Sequence, residues 1–141
     1  MAGTAAEIDH RLIAFALPST PESVPMARVH VRAVLGFYGL GKYADDAAAI
    51  TSELVTNAIQ HVCGDGTETI GVTLLRARDP ETVTVVVSDS SPDGPAKREA
   101  PADGERGRGL RIVEALSAHW GWRPEEGGKS IFAILAKEAG P

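Results

Sequence analysis

Hydrophobic positions follow two different periods along the chain, and the changes of period mark the expected elements. Short alternating or β-branched runs predict strands at residues 11–17, 68–76, 82–88, 120–123 and 130–136. Apolar residues spaced three and four apart predict helices over about 26–38, 45–62 and 110–118. This order, without an internal repeat, predicts the α+β class: a two-layer sandwich with one mixed, mostly antiparallel sheet and its helices on one face.

The periodic pattern stops between the third strand and the third helix. Seven of the 24 glycine and proline residues fall within residues 92–109, among charges of both signs. A long connection without structure of its own is usually a functional lid or a disordered segment. We therefore expect residues 92–106 to form a mobile lid above a ligand held between helices and sheet. Residues 1–141 are expected to form a single domain with an ordered core over about 10–137.

Composition and charge narrow the functional classes. With 43% hydrophobic and 23% charged residues, the 141-residue chain has the make-up of one globular domain. Its net charge of −5 argues against direct nucleic-acid binding, which needs a surplus of cations. The single cysteine excludes an intramolecular disulfide and a thiolate-rich zinc site. No targeting segment and no apolar run long enough to span a membrane is visible, so the expected location is the cytoplasm.

A polar stripe follows the second predicted helix. Glu53, Asn57 and His61 are four residues apart, and each step of four turns about 40° around a helix, so the three side chains share one face. A solvated face is the commoner explanation of such a stripe. However, no lysine or arginine lies between Lys42 and Arg76, although solvated faces usually carry them. A carboxylate and an amide one turn apart can hold Mg²⁺, or orient water or a hydroxyl group.

An aspartate ends the third predicted strand. Asp89 follows an apolar run and precedes the long connection. A carboxylate at such a loop mouth is well placed to bind a ligand. It is equally well explained as a turn residue that bonds its own backbone.

Glycines also precede the third predicted helix, in the run Gly107–Leu110. Backbone N–H groups there can approach an anion, and the helix dipole adds to the attraction. Arg106 and Arg108 supply cations in the same segment. A loop that simply needs flexible residues before a helix explains the pattern about as well.

Taken in order, these pieces resemble the GHKL-type ATP-binding domain shared by gyrase, Hsp90, histidine kinases and MutL, in particular the bacterial anti-sigma-factor serine kinases. Residues Glu53–His61 resemble the N-box of that family, and Asp89 stands where its adenine-binding aspartate does. Gly107–Leu110 resembles the second glycine box, and Gly128–Phe132 the closing segment. The resemblance extends over residues 10–137 and implies the Bergerat-type fold.

The resemblance also implies roles for single residues. Asn57 would coordinate Mg²⁺, and Glu53 would act as the general base on a serine hydroxyl. Asp89 would accept a hydrogen bond from the adenine amino group of ATP, assisted through water by Ser130, where the family usually has threonine. Gly107 and Gly109 would cradle the phosphates, and the further candidate nucleotide-binding residues are His61, Arg106, Arg108 and Leu110.

Two functional hypotheses follow from the resemblance. The first is an anti-sigma-factor kinase that phosphorylates a small anti-anti-sigma (STAS-type) protein and, as a homodimer, sequesters a sigma factor. The second is a partner-binding module that uses ATP without catalysis or has lost it. The second is favoured by the first glycine box, where Asp-x-Gly-x-Gly is expected and residues 89–93 read Asp-Ser-Ser-Pro-Asp.

Overall fold

The computed structural model describes residues 10–61, 68–90 and 104–137, with the backbone alone for residues 61 and 104–109. Its elements are β1 (His10–Pro18), α1 (Ser23–Phe37), a 3₁₀ turn (Gly41–Tyr43), α2 (Ala44–His61), β2 (Thr69–Arg78), β3 (Glu81–Asp89), α3 (Gly104–Leu116), β4 (His119–Glu125) and β5 (Gly128–Leu135). The predicted lid, residues 92–106, lies largely outside the described residues. Within the described ranges, none of the helices combines the length and the apolar character needed to cross a membrane.

The strands form one five-stranded sheet in the order β1-β2-β3-β5-β4. Every pairing in the described part of the chain is antiparallel, so the mixed pairing that the sequence suggested is not found there. The α+β class with three helices is confirmed. The two central neighbours of the sheet, β3 and β5, are far apart in sequence, and the segment between them contains α3.

The core lies between one face of the sheet and the helices. Alternate residues of β3 (Val83, Val85, Val87) and of β5 (Ile131, Ala133, Leu135) are almost fully buried, as expected for strands with one face on a core. The predicted apolar stripe of α2 packs on that face: Ala47, Ile50, Leu54 and Ala58 are buried in the same cluster. Its last predicted member, Val62, lies outside the described residues.

Two helices begin earlier than the sequence pattern indicates. The first, α1, begins at Ser23 rather than near residue 26, and the Ser23 hydroxyl donates a 2.6 Å hydrogen bond to the carbonyl oxygen of Pro18. Pro25 is compatible with this start because a first helical turn needs no N–H there. Helix α3 begins at Gly104 rather than at Leu110. Its glycines are weak helix formers, so intrinsic preference alone predicts a later start.

A small polar network joins the 3₁₀ turn before α2 to the start of β3. The hydroxyl of Tyr43, a residue with no solvent exposure, donates a 2.9 Å hydrogen bond to Glu81 Oε1, and Lys42 Nζ lies 3.0 Å from the same oxygen. These two contacts, that of Lys42 first, hold the pKa of Glu81 below its ordinary value of 4.5. The network therefore stabilises the fold only while Glu81 is ionised.

Replacing Tyr43 with phenylalanine tests this network. We expect the free energy of unfolding to fall by about 1 kcal/mol at pH 7, the net value of one hydrogen bond. Because the pKa of Glu81 is lowered on folding, its contribution is complete above pH 4.5 and is lost as the pH falls through the folded-state value. Urea unfolding at a series of pH values should show the gap between the two proteins narrowing below pH 4.5. A gap that widens on acidification would contradict the assignment.

Candidate functional site

The ends of the central strands β3 and β5 carry a buried ion pair. Asp89 and Lys129 face each other in the antiparallel register. Lys129 Nζ donates to both carboxylate oxygens of Asp89, at 3.1 Å from Oδ1 and 2.9 Å from Oδ2. The Lys129 side chain has no solvent exposure and that of Asp89 has 2%. Charged groups this deeply buried are tolerated because they are paired and hydrogen-bonded.

The strand alternation determines which face of the sheet carries this pair. Asp89 continues the series of β3 residues that point into the core, and Lys129 does the same for β5. Both side chains therefore lie on the face covered by the helices. Ser88 and Ser130 alternate with them and lie on the other face, where their hydroxyl oxygens are 3.0 Å apart.

This register changes the prediction made for Ser130. By the family resemblance Ser130 was expected to assist Asp89, but its hydroxyl oxygen lies 3.0 Å from that of Ser88 on the neighbouring strand. A strand residue cannot serve both faces, because successive side chains point in opposite directions. Lys129 is therefore the β5 residue that stands beside the Asp89 carboxylate.

Gly128 allows the two strand ends to come together. A Cβ atom on Gly128 would lie 2.8 Å from the Cα of Ser90 and still closer to the carbonyl oxygen of Asp89. These are main-chain atoms, which cannot turn away as a flexible side chain can. Only glycine therefore fits at this position without a shift of the neighbouring main chain.

Helix α2 presents Glu53 and Asn57 on one flank. Arg28 of α1 donates a 2.9 Å hydrogen bond to the hydroxyl of Ser52, which identifies the flank of α2 that faces α1. Glu53 and Asn57 are roughly 100° and 140° around the helix from Ser52, so they lie on the flank turned away from α1. Both residues are half-buried. The helix itself packs on β3 and β5, the strands that carry the ion pair, and also contacts α3.

Asn57 has an unused acceptor. Its Oδ1 atom is buried and receives no hydrogen bond, one of three such side-chain atoms in the part of the chain that the structure describes. A buried carbonyl oxygen without a partner is costly unless a ligand or a cation satisfies it. Amide and carboxylate oxygens are ligands that Mg²⁺ accepts, usually together with water and substrate phosphates. Asn57 thus fits a site for magnesium and nucleotide.

No dedicated metal cage accompanies Asn57. Among the described residues, no group of three histidine, cysteine, aspartate or glutamate side chains could hold a metal ion. In nucleotide sites Mg²⁺ usually keeps several water ligands and binds one or two protein side chains together with substrate phosphates.

The predicted phosphate-binding segment adopts a different backbone from the expected loop. Gly107 and Gly109, with Arg106 and Arg108, lie within helix α3. Their side chains, like that of His61 at the end of α2, are outside the description. Leu110 is half-buried in α3, which packs against α2. Any contact of this segment with phosphate therefore stays a prediction.

Sequence reasoning missed Lys129, although the signal was present. The run Gly128–Phe132 was assigned as the closing segment of the ATP-binding domain, with Ser130 rather than Lys129 as its candidate binding residue. Alternation along β5 puts Lys129 in the series of Ile131, Ala133 and Leu135, which is the core face. A buried lysine in that series needs a carboxylate as its partner, but the identity of that carboxylate depends on the register between the strands.

A family model and two solved structures are similar to this chain. A family model described as the histidine kinase-like ATPase domain matches residues 17–135. The RsbU and RsbW domains of Rv1364c from Mycobacterium tuberculosis are 21% identical, with a TM-score of 0.61 over 88% of this chain and 31% of that chain. The histidine kinase domain of a blue-light activated histidine kinase from Erythrobacter litoralis EL346 is 20% identical, with a TM-score of 0.49 over 96% of this chain and 66% of that chain. The comparison with curated proteins gave no match.

These matches differ in what they establish. The chain spans less than two thirds of each of the two solved structures, and at 21% identity the first shows a shared fold alone. The family model, in contrast, extends over most of the chain and includes Glu53, Asn57, Asp89 and Lys129. The chain therefore belongs to the histidine kinase-like ATPase domain family, the GHKL type of ATP-binding domain.

Proposed function

We propose that the protein binds Mg·ATP and acts as an anti-sigma-factor serine kinase, which phosphorylates an anti-anti-sigma partner and sequesters a sigma factor when unopposed. The observation that carries the proposal is the buried, unpartnered Oδ1 atom of Asn57, one helical turn after Glu53. Phosphoryl transfer to a hydroxyl group uses a ligand for Mg²⁺ and a base that accepts the hydroxyl proton. The amide of Asn57 and the carboxylate of Glu53 are suited to these two roles.

Each residue of the proposal has a defined task. Bound Mg·ATP would supply the phosphoryl group and neutralise the charge on it. Asn57 would hold the cation through Oδ1. Glu53 accepts the proton of the incoming serine hydroxyl. Asp89 would accept a hydrogen bond from the adenine amino group at the end of β3.

The partner assignment rests on the resemblance of the sequence to anti-sigma kinases and on one structural neighbour. Rv1364c carries an RsbU and an RsbW domain within one chain, and the present fold is similar to part of that structure. We propose a comparable regulatory role here, with a sigma factor and a STAS-type protein as the partners and a homodimer as the sequestering form.

Calorimetric titration with ATP and Mg²⁺ tests the nucleotide site. We expect binding to the unmodified protein and a loss of affinity of at least about tenfold in Asp89→Asn, because a hydrogen bond to a charged acceptor is replaced by a weaker one. The amide keeps the shape of the carboxylate, and thermal unfolding of the variant checks that the fold survives without the ion pair.

Asp46→Asn is the matched control for this titration. Asp46 also pairs with a lysine, Lys137, at 3.5 Å, but it lies at the start of α2, more than a turn before Glu53. We expect the Asp46→Asn variant to bind Mg·ATP with the same affinity as the unmodified protein. Equal losses in Asp46→Asn and Asp89→Asn would contradict a role for Asp89 in base binding.

A second candidate function is a partner-binding module without chemistry. Two observations favour it: residues 90–93 lack the glycines of the first glycine box, and both carboxylate oxygens of Asp89 are engaged by Lys129. If the titration shows no heat of binding at millimolar Mg·ATP, although the protein still unfolds cooperatively, the partner-binding module is favoured over the kinase.

A further inference from the structure

We infer that two copies of this chain associate through one side of the molecule, formed by the outer face of helix α1 and the outer edge of strand β1. We call this the α1–β1 surface. The inference rests on the proposed function, which includes a homodimer, and it adds the surface on which the homodimer forms. Two features carry it: a second apolar face on α1, and a sheet edge that can pair with its own copy.

Helix α1 is apolar on two opposite faces. Its core face consists of residues without solvent exposure: Ala27, Val31 and Leu35. A second apolar stripe, centred roughly 160° around the helix from the first, contains Met26, Val29, Ala33 and Phe37. A helix with one face on the core and the other in water normally carries polar residues on the second face. Apolar residues on both faces are typical of a helix that is covered on both sides.

The second stripe is strongly exposed in the single chain. Phe37 is 83% exposed, Val29 64% and Met26 48%, and they are three of the four large hydrophobic residues that are exposed in the described part of the chain. Ala33, between them, is exposed as well. Single exposed hydrophobic residues are ordinary, whereas a group of them on one helix face marks an interaction surface.

Strand β1 is an edge of the sheet that is open to a further strand. Within the described residues it pairs with β2 alone. The opposite edge, β4, contains Pro124 between the paired charges of Arg123 and Glu125, and prolines and charges are the usual protection of an edge. Beyond an irregularity near Leu12, the interior of β1 has no such residue: it reads Ile-Ala-Phe-Ala-Leu at residues 13–17.

Ring contacts connect the stripe on α1 to the strand edge. The ring centroids of Phe15 in β1 and His30 in α1 are 5.2 Å apart. At the other end of β1, the rings of His10 and Tyr38 are 5.8 Å apart, and Tyr38 contacts Phe37. The helix face and the strand edge therefore lie on the same side of the molecule and form one continuous surface.

One twofold axis can cover both parts of this surface. Two identical edge strands pair antiparallel about an axis perpendicular to the sheet, and that axis keeps both copies of α1 on the same face of the joined sheet. The helices then run antiparallel beside each other. A single symmetric contact thus satisfies the main chain of β1 and buries the stripe of α1.

Charge and area favour a second copy as the occupant. The stripe has no charged residue, so two copies bring no like charges together, and the nearby Arg32 is paired with Asp45. The three exposed side chains contribute on the order of 700 Å² in a pair of copies, whereas a stable interface buries about 1,200–2,000 Å². The stripe alone is therefore too small, and the edge of β1 is needed to complete the interface.

Sedimentation velocity of the full chain at a series of micromolar concentrations tests the inference. We expect the unmodified protein to sediment with twice the mass of one chain. Ala33→Glu places a carboxylate in the middle of the stripe and, by symmetry, twice in the interface. We expect its dimer dissociation constant to be at least about thirtyfold higher, the effect of losing a central contact, because the buried charges lack partners.

Ala115→Glu is the matched control. Ala115 is also an exposed alanine within a helix, but it lies in α3, which packs beside β4 at the opposite edge of the sheet. This variant should dimerise like the unmodified protein. Phe37→Ser is a second test variant, which should also weaken the dimer. Because the side chain of Phe37 is mostly in water, its removal leaves no cavity in the core. Phe37→Ser therefore decides the question even if Ala33→Glu does not fold.

The outcomes separate this inference from the proposed function. An unchanged dimer in both Ala33→Glu and Phe37→Ser would overturn the inference and leave the homodimer standing. Equal weakening in Ala33→Glu and Ala115→Glu would overturn it as well. A monomeric unmodified protein would overturn both the inference and the homodimer, and would indicate that a different protein covers the stripe. Titration of the same samples with Mg·ATP tests the nucleotide site independently, because Asn57 lies on the flank of α2 turned away from α1.

Discussion

Replacement of Glu53 by glutamine is expected to lower the rate of phosphotransfer to an anti-anti-sigma protein by about 10²–10⁴-fold, the usual contribution of a general base. Glutamine keeps the size of the side chain but cannot accept the proton of the serine hydroxyl. The measurement is transfer of ³²P from labelled ATP to purified STAS-type proteins encoded in the same genome. Affinity for Mg·ATP should change little, because the assigned role of Glu53 begins only when the acceptor serine is present.

Glu114→Gln is the control for this experiment. Glu114 is an exposed residue of α3, so the same chemical change there alters the net charge equally without touching the flank of α2. Its transfer rate should equal that of the unmodified protein. If Glu53→Gln and Glu114→Gln transfer phosphate at the same rate, Glu53 is not the base. If the unmodified protein binds ATP and transfers nothing to any STAS-type protein, the non-catalytic module becomes the better account.

The second large effect is expected from Gly128→Ala. A Cβ atom at this position would overlap the carbonyl oxygen of Asp89 and approach the Cα of Ser90 to 2.8 Å, so β3 and β5 would have to separate. Overpacking usually lowers the free energy of unfolding by about 1–3 kcal/mol, and we expect the upper end because main-chain atoms cannot move aside. Urea unfolding measures the loss, and calorimetry should show weaker binding of Mg·ATP because Asp89 is displaced.

Gly71→Ala separates the overlap at Gly128 from the general effect of removing a glycine from a strand. Gly71 lies in β2, and a Cβ atom there would meet only the Cβ of Ser88, at an ordinary 3.8 Å. The free energy of unfolding of the Gly71→Ala variant should stay the same or rise by up to about 1 kcal/mol, because alanine restricts the unfolded chain more than glycine does. Comparable losses in Gly128→Ala and Gly71→Ala would contradict the steric explanation.

The elements with a strong period were predictable from the sequence. The stripe of α2 gave its buried face, its extent to within one residue at each end, and the shared flank of Glu53 and Asn57. The strands were located because runs of β-branched residues favour the extended conformation. These features depend on neighbours within a few residues along the chain, and the sequence contains such information directly.

The features that depend on distant pairing were not predictable in the same way. The pairing of Asp89 with Lys129 requires the register between β3 and β5, which is set by the whole sheet. Helix α3 begins at Gly104 although glycine is a weak helix former, so local preference alone predicts a later start. The partner proteins depend on surfaces of other molecules, about which one chain carries little information.

The ion pair between Asp89 and Lys129 also affects the register in which β3 and β5 pair. The two charges stand 40 residues apart in the chain and meet only when β3 and β5 align as observed. A slip of one residue would turn the side chains of one strand to the opposite face and leave the other strand's charge in the core without a counter-charge. Misaligned sheets are thereby raised in energy relative to the native one. The ion pair therefore favours the native register over its neighbours at the centre of the sheet.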